Sequence, residues 1–159
     1  MNKYGILGWP LERSYSPVIH TFLLKHVSIE GKYELIRMNE INNKNIDQIN
    51  KSYSGYNVTI PYKEKILEVC EEAHLDVHVK KIGSVNTVKN KDGVTSFYNT
   101  DYLGFLNFLE IINFNPEGRK IMILGSGGSS KSINYALNLV KGEATIISRT
   151  NKELSLIHI

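Results

Sequence analysis

Apolar positions in the first third of the chain come in short runs, separated by stretches with a helical period. Lys3 to Gly8 reads as a strand, and Pro17 to Val27 as a helix with Val18, Phe22 and Leu23 on one face. Tyr33 to Met38 predicts a second strand, and Asn45 to Tyr53 a helix carrying Ile46 and Ile49. Gly55 to Ile60 predicts a third strand, ended by Pro61. A helix follows from Tyr62 to about Ala73. Ser84 to Lys89 and Val94 to Tyr98 pair as a hairpin, with Asp92-Gly93 supplying the tight turn. Asp101 to Asn113 is the next helix, with Leu103, Phe105, Leu106, Leu109 and Ile112 as its apolar positions.

The pattern changes after the loop Asn115-Pro116-Glu117-Gly118. Lys120 to Leu124 is continuously apolar, as parallel strands buried on both faces are. Gly125-Ser126-Gly127-Gly128 follows, then a helix to about Val140 and a second apolar strand, Ala144 to Ile147. The class is α/β, with a boundary near residue 115 and a single βαβ unit beyond it. A doubly wound sheet needs more strands than that unit provides. The second domain is therefore expected to be incomplete, with an uncovered strand edge and apolar helix faces that favour a poorly soluble or partly molten product.

Composition narrows the function without naming it. Of 159 residues, 42% are apolar and 22% charged, which permits an ordinary core. The net charge of +3 is dispersed among acids, and Lys80-Lys81 reads as a turn, so no nucleic-acid stripe is expected. No apolar run is long enough for a membrane span. The lone cysteine, Cys70, excludes an internal disulfide, suits a reducing cytoplasm, and reads as a small buried side chain on a helix.

The strand, glycine turn and helix at 120–140 predict a phosphate site. Gly125 and Gly127 let the backbone approach a pyrophosphate, and the helix N-terminus offers unpaired N–H groups. The third fingerprint position is Ser130. The next strand ends in Ser148-Arg149-Thr150, with no acid to hold a ribose 2′-hydroxyl. Arg149 can instead form forked bonds to a 2′-phosphate, which favours NADP over NAD.

Four polar clusters sit at predicted element ends, where sites are usually built. In the first, Ser16-Pro17 reads as N-cap and first helical residue, while Ser14 has no such structural role; both hydroxyls would suit a carboxylate. His20, one turn on, reads as packing. In the second, Asn57 and Thr59 share a strand face and Lys63 falls in the first turn of a helix, whose field favours a neutral amine and suits acid–base work. The third is Gly83-Ser84-Val85-Asn86-Thr87. The fourth is Asn99-Thr100-Asp101, where Asp101 reads most simply as a helix cap.

In this order and spacing the clusters resemble the shikimate dehydrogenase family. The motifs are Ser14-Tyr15-Ser16-Pro17, Asn57-Val58-Thr59-Ile60-Pro61-Tyr62-Lys63, Gly83-Ser84-Val85-Asn86-Thr87, Asn99-Thr100-Asp101 and the loop Gly125-Ser126-Gly127-Gly128. The resemblance implies an N-terminal α/β substrate-binding domain with a mixed sheet, residues 1–115, followed by the start of an NADP-binding Rossmann domain, residues 116–153. It implies reversible reduction of 3-dehydroshikimate to shikimate with NADPH. Ser14 and Ser16 would hold the substrate carboxylate. Thr59, Lys63, Asn86 and Asp101 would hold ring hydroxyls, with Lys63 and Asp101 managing the proton. Gly125, Ser126, Gly127, Gly128 and Ser129 would face the pyrophosphate, and Ser148, Arg149 and Thr150 the 2′-phosphate. No metal, nucleic acid or membrane is implied, and a homodimer of the full-length protein is left open. A quinate-using relative stays open too, as does a folded but inactive substrate-binding module for the chain as it stands.

The family usually has Asn where this chain has Ser148, and a second basic residue where it has Glu153, beside Lys152. The rest of the Rossmann sheet, a late substrate-reaching glutamine and the family's C-terminal helices have no counterpart. The last six residues, Leu154-Ser155-Leu156-Ile157-His158-Ile159, equal the translation of a transposon-end sequencing adapter, so native sequence is expected to end near Glu153.

Overall fold

The computed structural model describes residues 1–70 and 72–149. The expectations placed on Thr150, Lys152, Glu153 and residues 154–159 lie outside the described residues.

Two sheets form. Strands β1 (Asn2–Gly8), β2 (Gly31–Arg37), β3 (Gly55–Val58), β4 (His74–Leu75), β5 (Thr87–Lys91) and β6 (Val94–Tyr98) make a six-stranded mixed sheet in the order β2-β1-β3-β5-β6-β4. β1 lies parallel between β2 and β3, whereas β5 runs antiparallel to β3 and β6. The β5–β6 turn is the expected Asp92-Gly93, both residues with positive φ, which matches the twist of the strands it joins. Helix α2 (Asn43–Ser52) is stopped from fraying by a reciprocal cap between Asn42 and Asn45. It buries Ile46 and Ile49 in a core with Leu7, Tyr56, Val58, Ile66, Val88 and Phe97.

Several expectations are corrected. Helix α1 (Ser16–His26) buries no residue, and Val18, Phe22 and Leu23 are exposed. It meets the sheet instead through Leu24 and through His20, whose ring stacks on Tyr33 at 4.3 Å. Apolar residues run almost all the way round this helix, so periodicity could not choose a face. The long helix expected after Pro61 is only α3 (Tyr62–Lys65), followed by turns, β4 and α4 (Val77–Ile82). Asp76 caps α4 and Gly83 ends it in the left-handed region, so Lys80-Lys81 is helix rather than turn. Cys70 consequently sits on no helix; it is half-buried, accepts a bond from Asn50 Nδ2 at 3.6 Å, and burial pushes its thiol pKa up.

The second sheet pairs β7 (Lys120–Leu124) with β8 (Glu143–Ile147) in parallel, joined by α6 (Gly128–Leu139). β7 is not buried on both faces: only Ile123 is enclosed, because α6 covers one face. Helix α5 (Asp101–Ile111) packs against α4 and against α6 with the second sheet. Tyr102, Phe105 and Leu106 pack with Ile82, Tyr135 and Ala136, while Leu109 packs with Ile123 and Leu137. Leu103 and Ile112, expected on its apolar face, are exposed, and the unforeseen Tyr102 is buried. Among the described residues no helix is long and apolar enough to cross a membrane.

Candidate active site

The polar clusters converge where the end of β3, the start of α5 and the start of α6 meet. Lys63 enters on the four-residue α3, too short for the helix dipole expected there. Its partner is a charge: Lys63 Nζ donates to Asp101 Oδ2 at 2.6 Å, with side-chain exposures of 14% and 29%. Asp101 does not cap its helix. Thr100 takes that place, and the Asp101 N–H is satisfied by Asn99 Oδ1 at 3.1 Å. The carboxylate is thereby left for the lysine and for Asn86 Nδ2, which donates to Oδ1 at 2.7 Å. Asn86 is buried and saturated: it also donates to Thr100 Oγ1 and accepts from Thr87 Oγ1 and the Thr100 N–H. Such a closed network holds its members in one geometry.

The network continues outward. Asn57 Nδ2 donates to the Asn86 carbonyl at 3.3 Å, and Tyr33 donates to Asn57 Oδ1 at 2.6 Å. Burial raises the Tyr33 phenol pKa, a hydrogen bond with Ser16 partly offsetting it; burial also lowers that of the stacked His20. Ser16 therefore belongs to the same line of side chains, although Tyr15, not Ser16, occupies the N-cap. Ser14 does have a local role, since its Oγ accepts the Ser16 N–H at 3.2 Å. Thr59 lies at the end of β3, its N–H bonded to the Leu7 carbonyl and its methyl packed under Gly8.

The glycine loop faces this network. Gly125 holds φ +115°, which a side chain rarely tolerates. Ser126 and Gly127 are exposed, and a Cβ on Gly127 would meet nothing within 4 Å. α6 opens without a side-chain cap. Uncapped N–H groups beside open space fit a dinucleotide pyrophosphate. Gly128 instead turns toward Ser84 and Lys63, and Ser129 Oγ accepts from Lys63 Nζ at 3.1 Å. At the tip of β8, Ser148 is half-buried and Arg149 exposed; Thr150 falls outside the described residues.

Sequence reading overlooked Tyr33 and gave Asn99 no role of its own. No local pattern marks Tyr33, which reaches Asn57 across the intervening strand β1. Asn99 was legible only as part of its cluster; its side chain bonds the Ser84 carbonyl and Ser132 Oγ, both at 2.9 Å.

These features define a class: an α/β protein whose mixed sheet ends in a lysine-centred polar cleft, faced by a glycine loop and helix. The family model for the shikimate dehydrogenase substrate binding domain matches residues 6–88, and the chain belongs to that family. A shikimate dehydrogenase (NADP(+)) of Alkaliphilus metalliredigens is 40% identical over 153 residues, covering 92% of this chain and 51% of its own length. Solved shikimate dehydrogenases share the fold. That of Peptoclostridium difficile gives a TM-score of 0.88 at 30% identity, over 99% of this chain and 59% of its own. That of Thermus thermophilus, solved with NADP(H) and shikimate, gives 0.84 at 30% identity, over 94% and 57%. The chain thus spans about half the length of these relatives.

Proposed function

We propose that this chain supplies the substrate-binding and acid–base part of an NADP-dependent shikimate dehydrogenase. The observation that carries the reading is the 2.6 Å Lys63–Asp101 contact, mostly withdrawn from water and lying against a dinucleotide-type loop. In the proposed assignment residues 1–115 hold the substrate and residues 116–153 begin the cofactor domain.

Ser14 and Ser16 receive the substrate carboxylate. Thr59, Asn86 and Asp101 hold ring hydroxyls. The 125–129 loop would hold NADPH, with Arg149 at its 2′-phosphate, and the cofactor would supply the hydride. As the ketone carbon is reduced, negative charge gathers on its oxygen. Lys63 Nζ stabilises that charge and delivers a proton to the oxygen; in the reverse direction it takes the hydroxyl proton. Asp101 keeps the amine aimed at that atom, and Asn86 keeps Asp101 aimed at the amine. For the 159 residues alone, the half-covered β7 favours a second reading, binding without turnover.

Cofactor oxidation by the full-length protein tests the proposal, with 3-dehydroshikimate and 3-dehydroquinate each offered NADPH and NADH. The expected result is fastest turnover with 3-dehydroshikimate and NADPH. Lys63→Ala should lower kcat by about 10²–10⁴-fold while substrate affinity changes much less. Near-native turnover in that variant would refute the proton-transfer role, and a preference for 3-dehydroquinate would move the assignment to quinate.

A further inference from the structure

That mechanism calls on the backbone of residues 128 and 129 but leaves two features where the sheets meet unexplained: the hydroxyl of Ser129 and the missing side chain of Gly128. We propose that Ser129 is a positioning residue for Lys63, and that position 128 is glycine so that the two can meet. The assignment rests on the reading of Lys63 as proton donor.

An ammonium on a four-carbon stem has three donors and many rotamers. Asp101 accepts one N–H, and a single acceptor leaves the head free to swing about it. Ser129 accepts a second at 3.1 Å, from a different helix. Two acceptors fixed to α5 and α6 define the direction of the remaining N–H, the one left for a ketone oxygen. The neighbouring residues reinforce the seam, since Glu64 pairs with Lys131. Gly128 sets the approach. A Cβ there would lie 2.5 Å from Ser84 Oγ and 2.9 Å from Lys63 Cβ. Ser84 is fully buried, so its hydroxyl cannot swing out into solvent. Any side chain at 128 would push α6 away and stretch the Ser129–Lys63 bond. The same displacement would withdraw the loop from the acid–base pair, so one glycine keeps proton donor and cofactor loop in register.

Competitive trace acetylation, read by peptide mass spectrometry, tests the contact without requiring turnover. Lys65, exposed on the same short helix, is the internal reference. Ser129→Ala should raise the Lys63:Lys65 labelling ratio about fivefold. Gly128→Ala should raise it at least as much, and Ser129→Thr should keep the wild-type ratio. In parallel, Ser129→Ala in the full-length protein should lower kcat about tenfold, with KM for the ketone nearly unchanged and Ser129→Thr restoring the rate. An unchanged labelling ratio in both Ala variants overturns the proposal. So does a raised ratio with unchanged turnover, which would make the contact merely structural. A full-length wild type with no dehydrogenase activity would sink the functional reading instead, and the labelling ratio would then decide the contact alone.

Discussion

β1 and β7 are alike as sequences, each a short apolar strand leading into a glycine, and they have opposite surroundings. β1 has a neighbour on both sides and ends in the fully buried Leu7 and the enclosed Gly8. β7 has β8 on one side among the described residues, and its last residue, Leu124, is 78% exposed. The difference reappears in the polar groups at the strand ends. Around β1 and β3 they bond one another: Tyr33 to Asn57, Asn57 to Asn86, Asn86 to Asp101. Beyond β7 the Gly125 N–H is spent on the Ile147 carbonyl, while Ser126 and Gly127 stand exposed and α6 opens without a side-chain cap. The polar groups around Lys63 are held by one another, whereas the glycine loop after β7 is left open; the proposed acid–base and cofactor roles follow that division.

Three measurements on the full-length protein would break or sharpen this contrast. The largest effect is expected from Phe97→Ala. Its ring is fully buried in the first core. The substitution should cost about 3–5 kcal/mol in urea unfolding, and a cost below about 1 kcal/mol would contradict that burial. Next, Arg149→Ala should weaken NADPH binding by about ten- to a hundredfold, with NADH binding and Tm little changed. Equal losses for both cofactors would remove the 2′-phosphate assignment. The smallest effect belongs to Glu34 on β2. A hydrogen bond from Tyr53, with Lys32 and then Lys3 beside it, lowers its pKa from 4.5 to about 2. The carboxylate therefore stabilises the fold above its unfolded pKa of 4.5, and that contribution is lost as the pH falls toward 2. The group is a third exposed, so screening keeps the contribution below about 1 kcal/mol. Glu34→Gln should flatten the dependence of Tm on pH across this window, and an unaltered acid limb would contradict the assignment.

The legible parts of the molecule were those with local causes. The Asp92-Gly93 turn, the two parallel strands of the second sheet and the αβ alternation follow from neighbours in sequence. The site clusters were visible because each closes an element. The order of the six strands was not visible, since Asn57 meets Thr87 through pairings 30 residues apart. Two local signals were present and passed over: Asp76 and Gly83 bracket α4 as cap and stop. The face of α1 that meets the sheet was beyond reading, because Val18, Ile19, Phe22, Leu23 and Val27 surround most of the helix. Asp101 was read first as a cap because one chain position does not show that Asn99 already satisfies the N–H.

α5 carries Asp101 in its first turn and Leu109 two turns later, about 12 Å along the axis, inside the second core. It is a stiff lever with one end in each half of the molecule. A rigid α5 would pass any tilt of β7 and α6 on to the carboxylate that holds Lys63. Mechanical play in the second half would then be felt as a displaced amine in the first.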